Sequence, residues 1–162
     1  MFNITVKRGD VYYVDFGKEV VGSEQGGRRP VVIIQNNKGN LHSPTIVVAV
    51  ITSRTSKAKL PTHVEISQDC GLPKQSTILL EQIKTIDKSR LQKYVGRLEN
   101  EDMRKLDKAC KISTGTYTFL DYLFDNLNKL QDDNIGMFKK ALYNLNKKFN
   151  NRNNNGNNLC FN

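Results

Sequence analysis

Residues 22–36 read GSEQGGRRPVVIIQN, in which a polar, glycine-rich loop runs without a spacer into an apolar strand. The strand, residues 30–34, consists of Pro30 followed by four β-branched residues, a composition that favours β-structure. Pro30 biases the preceding Arg29 toward extended geometry, so the strand fixes the direction of the Arg29 side chain. A guanidinium held at such a junction can bind a phosphate group.

Further short runs rich in β-branched or aromatic residues predict more strands. They are residues 11–16, 45–51, 64–66, 77–86 and 94–98. Between them lie glycine, asparagine, serine and proline residues that are typical of turns, and no helical stretch is long enough for a β-α-β crossover. The pattern therefore predicts a compact antiparallel barrel.

Helical periodicity begins late in the chain. Residues 100–113 carry a mostly apolar stripe with acids in the first turn, which predicts a helix that closes the barrel core. We expect a barrel domain with its closing helix over residues 1–115, a helical extension over 116–150 and a disordered, asparagine-rich tail over 151–162. The extension either packs on the barrel or on itself, or it forms an added surface for oligomerisation or a partner.

The charge of the chain favours an anionic partner. The net charge is +9, and residues 1–115 hold 19 of the 25 Lys and Arg and 12 of the 16 Asp and Glu, a net of +7. Nucleic acid is the first candidate and an acidic protein the second. Cys70, Cys110 and Cys160 are odd in number and far apart, which predicts neither a disulfide framework nor a zinc site. With no apolar run of about 18 residues, we expect a protein of the reducing cytoplasm and no membrane contact.

Several motifs together resemble the MazF/PemK endoribonuclease toxins. They are residues 7–13 (KRGDVYY), 22–36, 43–52, 59–66 (KLPTHVEI) and 79–87 (LLEQIKTID), and the resemblance covers roughly residues 6–115. It implies a mainly β fold with C-terminal helices, a small SH3-like antiparallel barrel of the MazF/PemK/CcdB type. It also implies a homodimer that cleaves single-stranded mRNA at specific sequences, without a metal or other cofactor. An acidic, MazE-like antitoxin would neutralise it, and DNA would be bound only through the antitoxin complex.

The resemblance assigns catalytic roles to Arg29, which precedes Pro30, and to Thr52, a hydroxyl at the end of the third strand. Ser23 and Glu24 in the loop would close over the substrate, and Glu24 is a candidate acceptor for the proton of the attacking 2′-hydroxyl. The identity of that base stays open. The residues expected to bind RNA are Gln25, Arg28, Arg54, Lys57, Lys59, Glu81 and Gln82.

Three other functions compete with this one. A non-enzymatic gyrase poison of the CcdB type would share the barrel, but those toxins act through a C-terminal tryptophan and this chain has no Trp. A nuclease using His42 and His63 is disfavoured because the two histidines lie in unrelated settings. An inactive relative retained as an antitoxin or RNA binder is disfavoured because Ser23, Glu24 and Arg29 are all present, as is Thr52.

Overall fold

The structure is a computed structural model that describes residues 5–54 and 60–127, with isolated positions between 136 and 147. Six antiparallel strands form one sheet in the order β4-β5-β3-β2-β1-β6. The strands are β1 (Asp10–Asp15), β2 (Arg28–Ile33), β3 (Thr45–Thr52), β4 (His63–Ile66), β5 (Ser76–Asp87) and β6 (Leu91–Arg97). The predicted antiparallel, mainly β fold is confirmed.

Side chains alternate between the two faces of the sheet and build two apolar clusters. In β2, Val32 belongs to one cluster and Val31 and Ile33 to the other. The first, here called the helix-side cluster, also contains residues of helix α2 (Asn100–Ser113), which covers this face. The second, the far-side cluster, is Val6, Tyr12, Val14, Val31, Ile33, Ile46, Val48, Ile86 and Leu91, with Phe16 packed against it. The two faces therefore present different surroundings to any polar side chain at a strand end.

Helix α2 closes the core as predicted. Its Leu106 and Ala109 are buried in the helix-side cluster. The Ser113 hydroxyl donates to the Leu80 carbonyl oxygen at 2.6 Å, and Arg8 forms an ion pair with Asp107. These contacts fix the middle and the C-terminal half of the helix against the barrel.

Two glycines bring the edges of the sheet together. A Cβ atom on Gly96 in β6 would lie 2.3 Å from the Cys70 carbonyl oxygen, and one on Gly71 would lie 2.5 Å from the Val95 carbonyl oxygen. Gly71, which also has a φ of +88°, follows the 3₁₀ turn Gln68–Cys70 between β4 and β5. Backbone therefore meets backbone here, and the sheet curls into a barrel.

The segment between β2 and β3, predicted as a loop, contains a short helix, α1 (Asn37–His42). The Asn36 side chain caps it by accepting a hydrogen bond from the Gly39 amide at 2.8 Å. Lys88, in a 3₁₀ turn between β5 and β6, donates from Nζ to the Asn40 carbonyl oxygen at 2.6 Å. Six residues are too few to show helical periodicity in a sequence.

The chain divides into two compact units between Thr116 and Tyr117. In the second unit, helix α3 (Phe119–Leu127) is capped by Thr118, whose Oγ1 accepts a hydrogen bond from the Asp121 amide at 3.3 Å. The role of residues 116–150 stays a prediction, and the predicted disordered tail lies outside the described residues. No helix in the described part of the chain is long and apolar enough to span a membrane.

Candidate active site

Strand register brings two predicted catalytic residues together. The paired part of β2 and β3 ends at Val31 and Val50, and Arg29 and Thr52 each lie two residues beyond this pair, at the same end of the two strands. Side chains two residues apart on a strand lie on the same face, so Arg29 and Thr52 share the face of Val31 and Val50. The row of residues at this end extends to Val14 on β1 and to Thr77 on β5. Since Arg29 lies two residues before Val31, this face is that of the far-side cluster.

The Arg29 side chain is half-buried and anchored through one nitrogen. Its Nε–H donates to the Gly26 carbonyl oxygen at 2.7 Å. No described carboxylate pairs with the guanidinium, and its two terminal amino groups have no hydrogen-bond partner among the described residues. The anchored base and free end suit the binding of a phosphate by two parallel hydrogen bonds.

Thr52 is 7% exposed at the end of β3. Its Oγ1 accepts a hydrogen bond from the Arg54 amide at 3.2 Å, which leaves the hydroxyl proton available for donation. Arg54, an exposed residue that is expected to bind RNA, is therefore held next to Thr52 by its backbone amide. Lys57 and Lys59, predicted for the same role, lie outside the described residues.

The loop 16–27 carries the other two predicted catalytic residues, Ser23 and Glu24, which are both exposed. A turn shapes this part of the loop, because the Glu24 amide donates to the Val21 carbonyl oxygen at 3.1 Å. The amide of Gln25 makes a long contact, 3.4 Å, with Oε1 of Gln82 on β5. Gln82 thus lies against the loop that the sequence places over the substrate.

Glu81, next to Gln82, makes different contacts. Its carboxylate accepts a hydrogen bond from the Thr62 hydroxyl at 2.8 Å and lies 2.9 Å from Nε2 of His63. Partial burial alone would raise the pKa of Glu81, but the hydrogen bonds from Thr62 and His63 outweigh burial and hold that pKa below its usual range. His63, considered above only as a nuclease histidine, is therefore a partner of Glu81.

A bulge in β5 separates these two side chains. Val50 pairs with Leu79 and Ala49 with Ile83, so residues 80–82 are extra on the β5 side. Bulges commonly redirect side chains next to functional sites. Here the bulge directs Glu81 to the β4 side and Gln82 to the loop.

Arg28 does not share the face of Arg29, because successive strand residues point to opposite sides. Its Nε–H donates to Gln92 Oε1 at 2.9 Å, and its Cζ lies 4.6 Å from the centre of the Tyr13 ring. Arg28 therefore does not lie on the face that carries Thr52. Its binding of RNA stays a prediction.

Two cations missed by the sequence interpretation lie over Phe16. Lys84 pairs with Val48, so its side chain lies on the far-side face, and its Nζ is 5.2 Å from the centre of the Phe16 ring. Arg90 approaches the same ring at 6.0 Å and donates to the Asp15 carbonyl oxygen. Neither forms an ion pair with a described carboxylate. Residues 84 and 86 are two positions apart in β5, so the sequence already indicated that they share a face. The bulge at residues 80–82 hid which of the two faces that is.

A groove of about 910 Å³ runs between edge strand β4 and helix α2 and touches the row at Thr77. Its lining mixes charges of both signs, and it includes Glu65, Glu99, Glu101, Asp102, Arg54, Lys105 and Lys108. A lining with both signs of charge is a poorer match for the anionic RNA backbone than the far-side face near Phe16, where Lys84 lies. No group of three potential metal ligands occurs among the described residues.

Two curated proteins are similar to this chain over most of their own length. The endoribonuclease EndoA of Bacillus subtilis (strain 168) is 56% identical over 115 residues, which are 70% of this chain and 98% of that protein. The endoribonuclease MazF of Staphylococcus saprophyticus is 54% identical over 114 residues, 70% of this chain and 94% of that protein.

Solved structures show the same fold. A mycobacterial endoribonuclease in complex with its cognate antitoxin has a TM-score of 0.58 at 27% identity, covering 68% of this chain and 95% of that one. MazF of Deinococcus radiodurans has a TM-score of 0.59 at 20% identity, covering 70% and 99%, a likeness of fold alone. The model of the PemK-like, MazF-like toxins of type II toxin–antitoxin systems matches residues 7–114, and the chain belongs to this family.

Proposed function

We propose that this chain is an endoribonuclease toxin that cleaves single-stranded mRNA at specific sequences without a metal ion. The observation that carries the proposal is that Arg29, whose terminal amino groups have no partner among the described residues, and Thr52 each lie two residues beyond the Val31–Val50 pair, on one face and at one end of their strands. The relatives at 54–56% identity are named as endoribonucleases. A CcdB-like gyrase poison is not favoured, because these relatives share nearly their whole length with the chain.

RNA supplies its own nucleophile, since the 2′-hydroxyl is adjacent to the phosphorus that it attacks. In the proposed reaction Glu24 accepts the 2′-hydroxyl proton, the 2′ oxygen bonds to phosphorus, and the bond from phosphorus to the 5′ oxygen breaks. The departing 5′ oxygen takes a proton from water, so the products are a 5′-hydroxyl and a 2′,3′-cyclic phosphate, which hydrolysis converts to a 3′-phosphate. The terminal amino groups of Arg29 bind the non-bridging oxygens as negative charge grows there, and the Thr52 hydroxyl donates to the same phosphate. One such donor typically contributes about 2.7–4 kcal/mol to the transition state.

The proposed partners follow from charge and from the family. An acidic, MazE-like antitoxin would bind a toxin of net charge +9, and a mycobacterial relative has been solved with its cognate antitoxin. A homodimer, DNA binding only through the antitoxin complex and a cytoplasmic location complete the proposal. Ser23 would close over the substrate with Glu24, and Gln25, Gln82 and Glu81 would contact bases near the cleaved phosphate.

Cleavage of a single-stranded RNA in EDTA tests the proposal. Wild-type protein is expected to give fragments with 5′-hydroxyl and 2′,3′-cyclic phosphate or 3′-phosphate ends, and Arg29→Ala is expected to lower kcat by about 100-fold or more. Arg104→Ala serves as the matched control, because Arg104 is exposed on helix α2 on the other face of the sheet.

Equal cleavage by wild type and Arg29→Ala would reject the mechanism, and absence of cleavage by wild type would reject the activity. Inhibition of supercoiling by purified gyrase in the presence of the chain would instead support the CcdB-like alternative.

A further inference from the structure

Val20 lies directly against the backbone of Gly26 in the loop 16–27. A Cβ atom built on Gly26 would be 2.2 Å from Cγ1 of Val20 and 3.3 Å from the Gly17 carbonyl oxygen. Real Cβ atoms do not come this close to a carbon, so the Val20 side chain occupies the space that any larger residue at position 26 would need.

Gly26 is also the residue that holds Arg29, since its carbonyl oxygen accepts the Arg29 Nε–H at 2.7 Å. The neck of the loop is closed beside it, where the Gly27 amide donates to the Gly17 carbonyl oxygen at 2.6 Å and the Phe16 amide donates to Gly27 at 3.1 Å. The Gly26 carbonyl belongs to the same peptide plane as the Gly27 amide, so its direction is set jointly by the neck hydrogen bond from Gly27 to Gly17 and by Val20, which packs against Gly26.

We propose that Val20 is a positioning residue for Arg29, acting through the Gly26 carbonyl oxygen. The proposal rests on the proposed function, in which Arg29 binds the reacting phosphate. Val20 is 42% exposed and neighbouring Val21 is 80% exposed, so neither belongs to the barrel core. The contact with Gly26, rather than burial, distinguishes Val20 from Val21.

The backbone of Gly26 does not itself require glycine. Its φ lies outside the left-handed region, unlike those of Gly17, Gly22 and Gly27, so alanine suits the conformation. The obstacle to alanine is then chiefly the Val20 side chain. The pair can therefore be tested with two substitutions. Gly26→Ala adds a methyl group that collides with Val20, and Val20→Ala removes the methyl groups with which it collides.

Four variants are compared for cleavage of single-stranded RNA: Gly26→Ala, Val20→Ala, the double variant, and Val21→Ala as the matched control. Gly26→Ala is expected to lower kcat by about 10- to 100-fold with KM changed less than about twofold, because the guanidinium is misplaced while the binding surface is kept. Val20→Ala is expected to lower kcat by only about threefold. The double variant is expected to return to about the level of Val20→Ala. Val21→Ala should match wild type.

A second measurement follows Arg29 without catalysis. The Nε–H proton of Arg29, observed by nitrogen-15 NMR, should exchange slowly with solvent in wild type, faster in Gly26→Ala, and slowly again in the double variant. The proposal would be overturned if Gly26→Ala had the same kcat and the same Nε–H exchange rate as wild type. It would also be overturned if the double variant did not restore the kcat that Gly26→Ala loses. A wild type that shows the slow exchange but does not cleave RNA would reject the proposed function and leave the exchange series to decide the role of Val20.

Discussion

Arg29 differs from Arg97 and Arg8 in that no described carboxylate pairs with its guanidinium. Arg97 donates twice to the buried Asp10 carboxylate, at 2.8 and 2.6 Å, and Arg8 pairs with Asp107. Arg29 donates only to a carbonyl oxygen, which orients the guanidinium without neutralising it. A half-buried guanidinium without a carboxylate partner is suited to an anionic ligand, because no described protein carboxylate competes for it.

Thr52→Val tests the hydroxyl of the row at nearly constant shape. We expect kcat for RNA cleavage to fall about 100-fold while the thermal unfolding midpoint changes by only a few degrees, since valine keeps the β-branched packing. Thr45→Val, the same substitution at the opposite end of β3, is the control and should retain activity. Full activity of Thr52→Val would remove the hydroxyl from the mechanism.

Glu81→Gln tests the ion pair at the bulge. Because hydrogen bonding lowers the pKa of folded Glu81 below its ordinary value of 4.5, the ionised carboxylate stabilises the fold above about pH 4.5, and this contribution is lost as pH falls through the lower folded pKa. At pH 7 the variant should lose about 1 kcal/mol of unfolding free energy, a figure that allows for solvent screening. The loss should shrink at pH 3.

Urea unfolding at the two pH values measures both quantities, with Glu19→Gln in the exposed loop as the control. A stability difference between wild type and Glu81→Gln that is the same at pH 7 and pH 3 would contradict the assignment.

At the scale of elements, the positions of all six strands could be predicted from composition and turn residues, and β3 and β5 differ from expectation by one residue at the ends. The bulge in β5 could not. Residues 80–82 continue a run that reads as one strand, and only the pairing with β3 shows that they are extra. Sequence therefore located Glu81 and Gln82 next to a buried run, while the groups that the two side chains contact depend on how β5 pairs with its neighbours.

Gly96→Ala tests the closure of the barrel. The added Cβ would lie 2.3 Å from the Cys70 carbonyl oxygen, so β6 or the turn after β4 must move. We expect a loss of about 1–3 kcal/mol in the free energy of unfolding, the usual cost of overpacking. Urea denaturation measures it, with Lys93→Ala on the exposed side of the same strand as the control. Equal stability of Gly96→Ala and wild type would show that the edges do not meet this closely.

At the scale of the whole molecule, the net charge of the barrel could be read from the sequence. Which cations are engaged in ion pairs, and which remain for a ligand, could not. Arg8 forms an ion pair with Asp107, and Arg97 forms one with Asp10. Ion pairs form between residues distant in sequence, so counting charges cannot separate engaged cations from free ones. In the structure, Lys84 and Arg90 lie over Phe16 and form no ion pair with a described carboxylate.

Removal of residues 117–162 tests the second unit. The matched region spans 98% and 94% of the two curated relatives, so we expect the shortened chain to fold and to cleave RNA within about twofold of the full rate. Cleavage kinetics and mass by light scattering are the measurements. Loss of assembly or activity would favour the alternative in which residues 116–150 form an oligomerisation or partner surface.

The salt dependence of RNA binding tests whether Lys84 and Arg90 contact the substrate backbone. Each phosphate that a cation neutralises on a single strand contributes about 0.7 to the slope of log Kd against log salt. Lys84→Gln with Arg90→Gln should therefore lower the slope by about 1.4 for a non-cleavable RNA, and weaken binding most at low salt. Lys38→Gln with Arg104→Gln is the control, because it removes the same charge from α1, at the opposite end of the strands, and from α2. If both pairs of substitutions change the slope equally, the RNA responds to the net charge of the barrel, and Lys84 and Arg90 are not part of its binding surface.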